Sequence, residues 1–148
     1  MSLKQTIKDR IIEIEREELQ GLKNMFEMYK EAADLDEEST LDPEDFSQQD
    51  QSRESARSLE TRISQAKMAL DSFLNLDFGN KTQVEPGALV LTNSLNFFVG
   101  ISATQFELEG KKYIGINTSA PIYSALEGSK AGDEIEFNEQ KYKIQEIL

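Results

Sequence analysis

Carboxylates are the only reactive side chains this sequence concentrates in one place. From Glu31 to Ser52 the 148-residue chain carries nine Asp or Glu and no Lys or Arg, while the remainder holds 19 acids against 16 bases. Most of the net charge of -12 is therefore local. Crowded carboxylates repel one another, and a divalent cation or a basic partner surface relieves that repulsion. With no Cys and no His in the chain, disulfides, thiolate or imidazole metal sites and Ser-His-Asp chemistry are excluded. A metal held here must be a hard cation on oxygen ligands.

Part of the run has a purely structural use. Asp42-Pro43-Glu44-Asp45 reads as a helix start: Asp as N-cap, Pro at the first helical position, and acids facing the positive end of the dipole. Such a cap is worth about 1 kcal/mol over Ala. Asp34, Asp36, Glu37 and Glu38 have no such excuse, because they fall at the negative end of a preceding helix, where each is disfavoured by about 0.3–1 kcal/mol. The acids of the run, taken as a group, are therefore candidate oxygen ligands for a divalent cation.

Two long helices bracket these acids. Ile12, Leu19, Leu22, Phe26, Tyr29 and Ala33 follow three-and-four spacing, and Ile11, Ile14, Met25 and Met28 widen the stripe, predicting a helix from about Leu3 to Ala33. Ala56, Leu59, Ile63, Ala66, Leu70 and Phe73 make the 3-4-3-4 seam of a two-helix coiled coil. Two helices with one reversal form an antiparallel hairpin over residues 1–76, with an acidic tip at about 34–50. Neither helix is secure in water by propensity alone, so mutual burial must hold them.

After Leu76 the periodicity changes. Gly79, Asn80, Pro86 and Gly87 break the helix, and 77–86 reads as a linker to a second domain, 87–148. "ALVLTN", "NFFVGIS", "QFELEGKKYIGIN" and "DEIEFNEQKYKIQEIL" are strand-like, with turns expected at Asn93-Ser94, Glu109-Gly110 and Asn138-Glu139. In the last pair, Ile135, Phe137, Tyr142, Ile144 and Ile147 point inward, while Glu134, Glu136, Lys141 and Lys143 point outward. A short helix from about Pro121 to Leu126, with a Ser/Thr cap and Gly128 as terminator, interrupts the strands. The expected class is α+β. No apolar run is long enough for a membrane span, "MSLKQTIKDR" lacks the apolar stretch of a secretion signal, and the expected location is the cytoplasm. The acidity disfavours autonomous nucleic-acid binding.

These residues resemble the GreA/GreB transcription elongation factors over nearly the whole chain. "REELQGLK" is similar to the family's first hairpin helix, and "SRES" with "TRI" to its second. "VEPGALV" resembles the opening of the family's FKBP-like domain, and "TSAPIYSALEGSKAGDEIEF" resembles its Ser-Pro-containing signature, with Ala120 inserted between Ser119 and Pro121. The resemblance implies a coiled-coil hairpin followed by a small FKBP-like antiparallel sheet with one short helix. It further implies an accessory factor for bacterial RNA polymerase. The hairpin would enter the secondary channel, and the family's register would place Asp42 and Asp45, with Glu44, Glu37 or Glu38 as substitutes, on a Mg2+ ion shared with the polymerase active site, stimulating cleavage of backtracked RNA. The RNA 3′ end and the DNA would be met only within the elongation complex. The second domain would dock on the polymerase through Ser119, Pro121, Ile122, Ala125, Leu126 and Gly128. The factor would complete another enzyme's metal site without being an enzyme itself.

Two alternatives stand beside this one: a secondary-channel regulator without cleavage activity, and a coiled-coil interaction or chaperone-like protein gripping basic clients. The FKBP-like resemblance also raises an isomerase reading. With no Trp, the aromatic residues Phe97, Phe98, Phe106, Tyr113, Tyr123, Phe137 and Tyr142 fit a core better than a substrate pocket.

Overall fold

The computed structural model describes residues 2–34 and 43–148, with side chains described for 2–33 and 50–148. The order of elements is α1 (Leu3–Asp34), α2 (Pro43–Leu74), β1 (Leu89–Thr92), β2 (Asn96–Val99), β3 (Ala103–Leu108), β4 (Lys111–Ile116), α3 (Pro121–Leu126), β5 (Glu134–Phe137) and β6 (Gln140–Ile147). It is an α+β layout: a helical hairpin, then a six-stranded sheet with one short helix. The chain divides into two compact units, Met1–Ile14 with Ala69–Leu148, and Glu15–Met68.

In the first unit the strand order is β3-β4-β2-β1-β6-β5. The sheet is antiparallel except that β2 and β4 run parallel, with Asn96 opposite Tyr113 and Val99 opposite Ile116. The expectation of an antiparallel sheet is corrected at this pair. The chain leaves β2, lays β3 at the sheet edge, and returns as β4 between β3 and β2, so β3 serves as the crossover. All four residues of β2 are buried, as a strand covered on both faces requires.

One face carries Val90, Phe97, Val99, Tyr142 and Ile144, packed with Tyr123 and Leu126 of α3. The other carries Leu89, Phe98, Ile101 and Tyr113, packed with Ile7, Ile11, Leu70 and Phe73. The first turns of α1 and the last turns of α2 are thus part of the sheet's core. The sequence places them in a separate 1–76 domain, because helical spacing shows which side of a helix is apolar but not what covers it. Phe73 sits edge-on to Phe78 at 5.2 Å and to Phe98 at 5.5 Å between ring centres, a geometry that favours aromatic pairs.

Residues 77–86 are built into the same unit. Val84 is buried and exchanges backbone bonds with the 128–129 turn, Val84 N to Ser129 O at 2.8 Å and Gly128 N to Val84 O at 3.0 Å. Lys81 bridges Asp77 at 3.5 Å and Glu85 at 3.2 Å. Asp77 is held below its ordinary pKa, first by the Gly79 amide and then by Lys81. Lys4 donates to the carbonyls of Gly79 at 2.8 Å and Leu148 at 3.0 Å, and burial, with Lys81 nearby, lowers its pKa. Gly87 adopts φ +91°, and a Cβ there would collide with the Asp77 carbonyl. These contacts make 77–86 part of the sheet unit and not a free tether.

Of the three expected turns, Glu109-Gly110 between β3 and β4 and Asn138-Glu139 between β5 and β6 form as two-residue turns, while Asn93-Ser94 falls in a three-residue connection, 93–95, between β1 and β2. All four residues of the two-residue turns have positive φ, as a type I′ hairpin turn demands. Across β5 and β6, Glu134 faces Lys143 and Glu136 faces Lys141 on the exposed face, while Ile135 and Tyr142 are buried together.

In the second unit, Glu15–Met68, the α2 seam is as the spacing predicts: Leu59 is buried and Ala56, Ile63 and Ala66 are half-buried, while the intervening residues are exposed. In α1, Leu19, Leu22 and Phe26 are half-buried and Ala33 is buried. The wider stripe is not covered. Met25 and Met28 are 43% and 70% exposed, and Tyr29, expected in the seam itself, is 38% exposed, since one partner helix can cover only a narrow two-position seam.

Candidate functional site

Along the chain the acidic run falls between α1 and α2 and in their adjoining turns. The structure starts α2 at Pro43, where the Asp42-Pro43 pair predicts a helix start. The helix α1 runs to Asp34, 32 residues or roughly 48 Å at 1.5 Å per residue. Of the metal-ligand candidates, Glu37, Glu38 and Asp42 lie outside the described residues. Glu44 and Asp45 fall in the first turns of α2, and their side chains lie outside the described ones. Among the described residues no cluster of three or more Asp, Glu, His or Cys is placed to hold a metal ion.

The second candidate surface is α3 with its flanks. Its N-cap is Ala120, with extended backbone and no side-chain cap bond, which corrects the expected Ser/Thr cap. The serine is otherwise engaged: Ser119 Oγ donates to Asn117 Oδ1 at 2.7 Å, and the Ser119 amide donates to the same oxygen at 3.1 Å. Pro121 takes the first helical position, where its missing N–H costs nothing. At the other end the Glu127 amide donates to Tyr123 O at 2.7 Å, and Gly128 turns the chain at φ +75°.

The six predicted docking residues therefore divide. Ser119, Pro121 and Gly128 are exposed, and Ile122 and Ala125 are half-buried and pack on the core beneath. Leu126 has no exposed surface and anchors the helix. With both helix ends tied, the Ser119, Pro121 and Gly128 surface is a fixed one.

A third feature escaped the motif reading. Glu15 is half-buried, and its Oε1 has no hydrogen-bond partner. Burial, and then the charge of Glu18, raise its pKa to about 7. The signal was present in the spacing, because Glu15 lies four residues after Ile11 and four before Leu19, on the apolar stripe itself.

No helix among the described residues is long and apolar enough to cross a membrane. No family profile matches the chain, and no curated protein matches it. Solved structures that are similar include the GreA factor homolog 1 (Gfh1) protein of Thermus thermophilus, 18% identical, covering 97% of this chain and 93% of that chain, with a TM-score of 0.34. A structure of the transcription factor Gfh1 is 19% identical over 96% of this chain and 91% of that one, with a TM-score of 0.34. Gfh1 of Thermus aquaticus is 18% identical over 97% and 92%, with a TM-score of 0.33.

Proposed function

We propose that this chain is a Gre-like accessory factor of bacterial RNA polymerase, whose hairpin carries carboxylates through the secondary channel to the active-site Mg2+ and stimulates cleavage of backtracked RNA. The observation that carries this reading is the placement of a base-free acidic run between two helices of a hairpin. The resemblance of "TSAPIYSALEGSKAGDEIEF" to the family's docking signature supports it, as does a structure with α3 at the expected position.

The donor chemistry fits the ion. Mg2+ takes oxygen ligands, commonly one or two carboxylates together with waters and phosphate oxygens. Asp42 and Asp45 are the principal candidates, with Glu44, Glu37 and Glu38 in reserve. A metal ion placed there supplies an activated water and neutralises charge on the phosphodiester. The chain's own part is to bring carboxylates to the ion and to fix their approach. Docking falls to the exposed part of the α3 surface, Ser119, Pro121 and Gly128, with Ile122 and Ala125 contributing their uncovered edges.

A second reading is favoured by one feature of the tip. The residue at the second ligand position is Asp45, a methylene shorter than the Glu that the family resemblance implies, and Phe46-Ser47-Gln48-Gln49 follows it. A regulator that occupies the channel without cutting is consistent with that shorter reach. Halted elongation complexes incubated with the factor and Mg2+ separate the two. Release of short RNA fragments from the 3′ end supports the cleavage reading. Unshortened RNA, together with competition against a cleavage factor, supports the regulator. Failure to bind the polymerase at moderate salt sinks both and leaves the chaperone-like reading.

A further inference from the structure

Among the described residues the exposed large apolar side chains are Met25, Met28, Tyr29, Met68 and Leu74. The first three fall close together on α1 and form one patch, while Met68 and Leu74 stand apart on α2. Spacing gives the patch a shape. Gly21, Met25, Met28 and Ala32 step 4-3-4, and at 3.6 residues per turn they fall within an arc of about 60°. The same step defines the seam between the two helices of the hairpin, and this second stripe lies about 110° round α1 from that seam. Helix α1 thus carries two apolar stripes, and α2 can cover only one of them.

Gly21 is an independent sign of a neighbour. A glycine inside a helix weakens it relative to alanine, yet nothing in the fold requires one here: the backbone is helical, and an added Cβ would meet nothing within 4 Å. A bare position in line with two methionines leaves room for the side chain of a second helix packed against the stripe. Methionine itself is unbranched and adapts to the shape of what it meets.

The charges around the stripe select its occupant. Glu17, Glu18 and Glu31 lie within about 90° of its centre, whereas Arg16, Lys23 and Lys30, the bases of residues 15–34, lie about 150° or more away. Glu17 and Glu31 are exposed and form no ion pair among the described residues. At its C-terminal end the stripe runs into the nine acids between residues 31 and 52. Two copies meeting through this face would crowd these carboxylates together, and an anionic lipid surface or a nucleic acid would be repelled by them. We propose that the face of α1 formed by Gly21, Met25, Met28 and Ala32 binds a basic amphipathic helix of a partner protein. The apolar side of that helix packs on Met25, Met28 and Tyr29, and its Lys or Arg residues meet the bordering glutamates. The proposal does not rest on the polymerase reading, and its test needs no polymerase.

The test uses the full chain and fluorescence anisotropy with labelled peptides of about 18 residues, long enough for five helical turns. One has Leu at its a and d positions and Lys and Ala elsewhere; a second scrambles the same residues so that no apolar face forms; a third replaces each Lys of the first by Glu. The first binds, and the other two bind at least about tenfold more weakly. Met25→Gln with Met28→Gln, which leaves the net charge unchanged, weakens the first peptide roughly tenfold, on the scale of the apolar area lost. Glu17→Gln with Glu31→Gln weakens it about threefold and flattens its salt dependence. Gly21→Ala strengthens α1 as a helix and yet weakens binding about threefold, an opposition that a merely structural residue would not show. Met68→Gln, 67% exposed on α2, changes binding by less than about twofold. All the substituted positions are exposed, so the variants keep the fold, and circular dichroism checks that they do. Absence of binding by the first peptide, equal binding of the scrambled one, equal losses at Met68 and at the Met25 and Met28 pair, or a chain that dimerises through Met25 and Met28 in sedimentation would overturn the proposal.

Discussion

The two units of this protein are stabilised in different ways. In the sheet unit a central strand is covered on both faces, and two apolar clusters lie back to back across it. In Glu15–Met68 only Ala33 and Leu59 are buried among the described residues, and the rest of the seam is half-covered. The difference separates the densest run of acids, nine between residues 31 and 52, from the two apolar clusters of the sheet unit.

The largest expected effect comes from removing the residue that joins the α2 end to the sheet core. Phe73→Ala, at a fully buried position between Phe78 and Phe98, lowers global stability by about 3–5 kcal/mol, measured by urea unfolding with probes in both units. Leu59→Ala sharpens the comparison. It costs about 2–3 kcal/mol locally and speeds amide exchange within 15–68, while exchange in β2 and β6 stays unchanged. Equal acceleration in the sheet would mean that the two units unfold as one.

Glu15 gives a smaller effect with a defined pH sign. Below about pH 4.5 its carboxyl is neutral whether the chain is folded or not. Between the unfolded value near 4.5 and the folded value of about 7, the unfolded chain ionises first, so stability falls as pH rises through this window, and above it the cost is constant. Glu15→Gln removes that slope. At pH 8 it stabilises by about 1–2 kcal/mol after allowance for solvent screening, and at pH 4 it changes little; thermal melts at the two pH values read the difference. The smallest effect belongs to Met28→Lys. With Met28 70% exposed, stability should move by less than about 0.5 kcal/mol, and a larger loss would show that the seam is wider than the structure places it.

The features legible in the sequence were those set by local chemistry. Asn138-Glu139 and Glu109-Gly110 turn as their types and flanking alternation imply, Pro121 opens α3, and the Ala56-to-Ala66 spacing identifies the hairpin seam, while Leu70 and Phe73, which continue that spacing, pack on the sheet instead. What escaped was set by partners distant along the chain. Nothing local distinguishes Ile7, Ile11 and Phe73, which pack on the sheet, from Leu19 and Ile63, which line the hairpin. Likewise, the parallel pairing of β2 with β4 depends on where β3 is laid, and no residue within β2 encodes it. The tip was legible as charge, through the count of acids and the Asp42-Pro43 helix start, but its ligand geometry rests on Glu37, Glu38 and Asp42, which lie outside the described residues.

The central claim is that tip carboxylates reach the catalytic metal of RNA polymerase. Iron-directed hydroxyl-radical mapping tests this with least dependence on cleavage activity: halted complexes are given Fe2+ in place of Mg2+, and strand breaks near the RNA 3′ end are compared with and without the factor. Asp42→Asn with Asp45→Asn is the informative variant, since Asn still caps a helix but is a far weaker metal ligand. The account predicts that the wild-type chain raises the local breaks and that the double variant, though still bound to the polymerase, returns them to the factor-free level. Breaks of equal intensity with wild type and variant would contradict it.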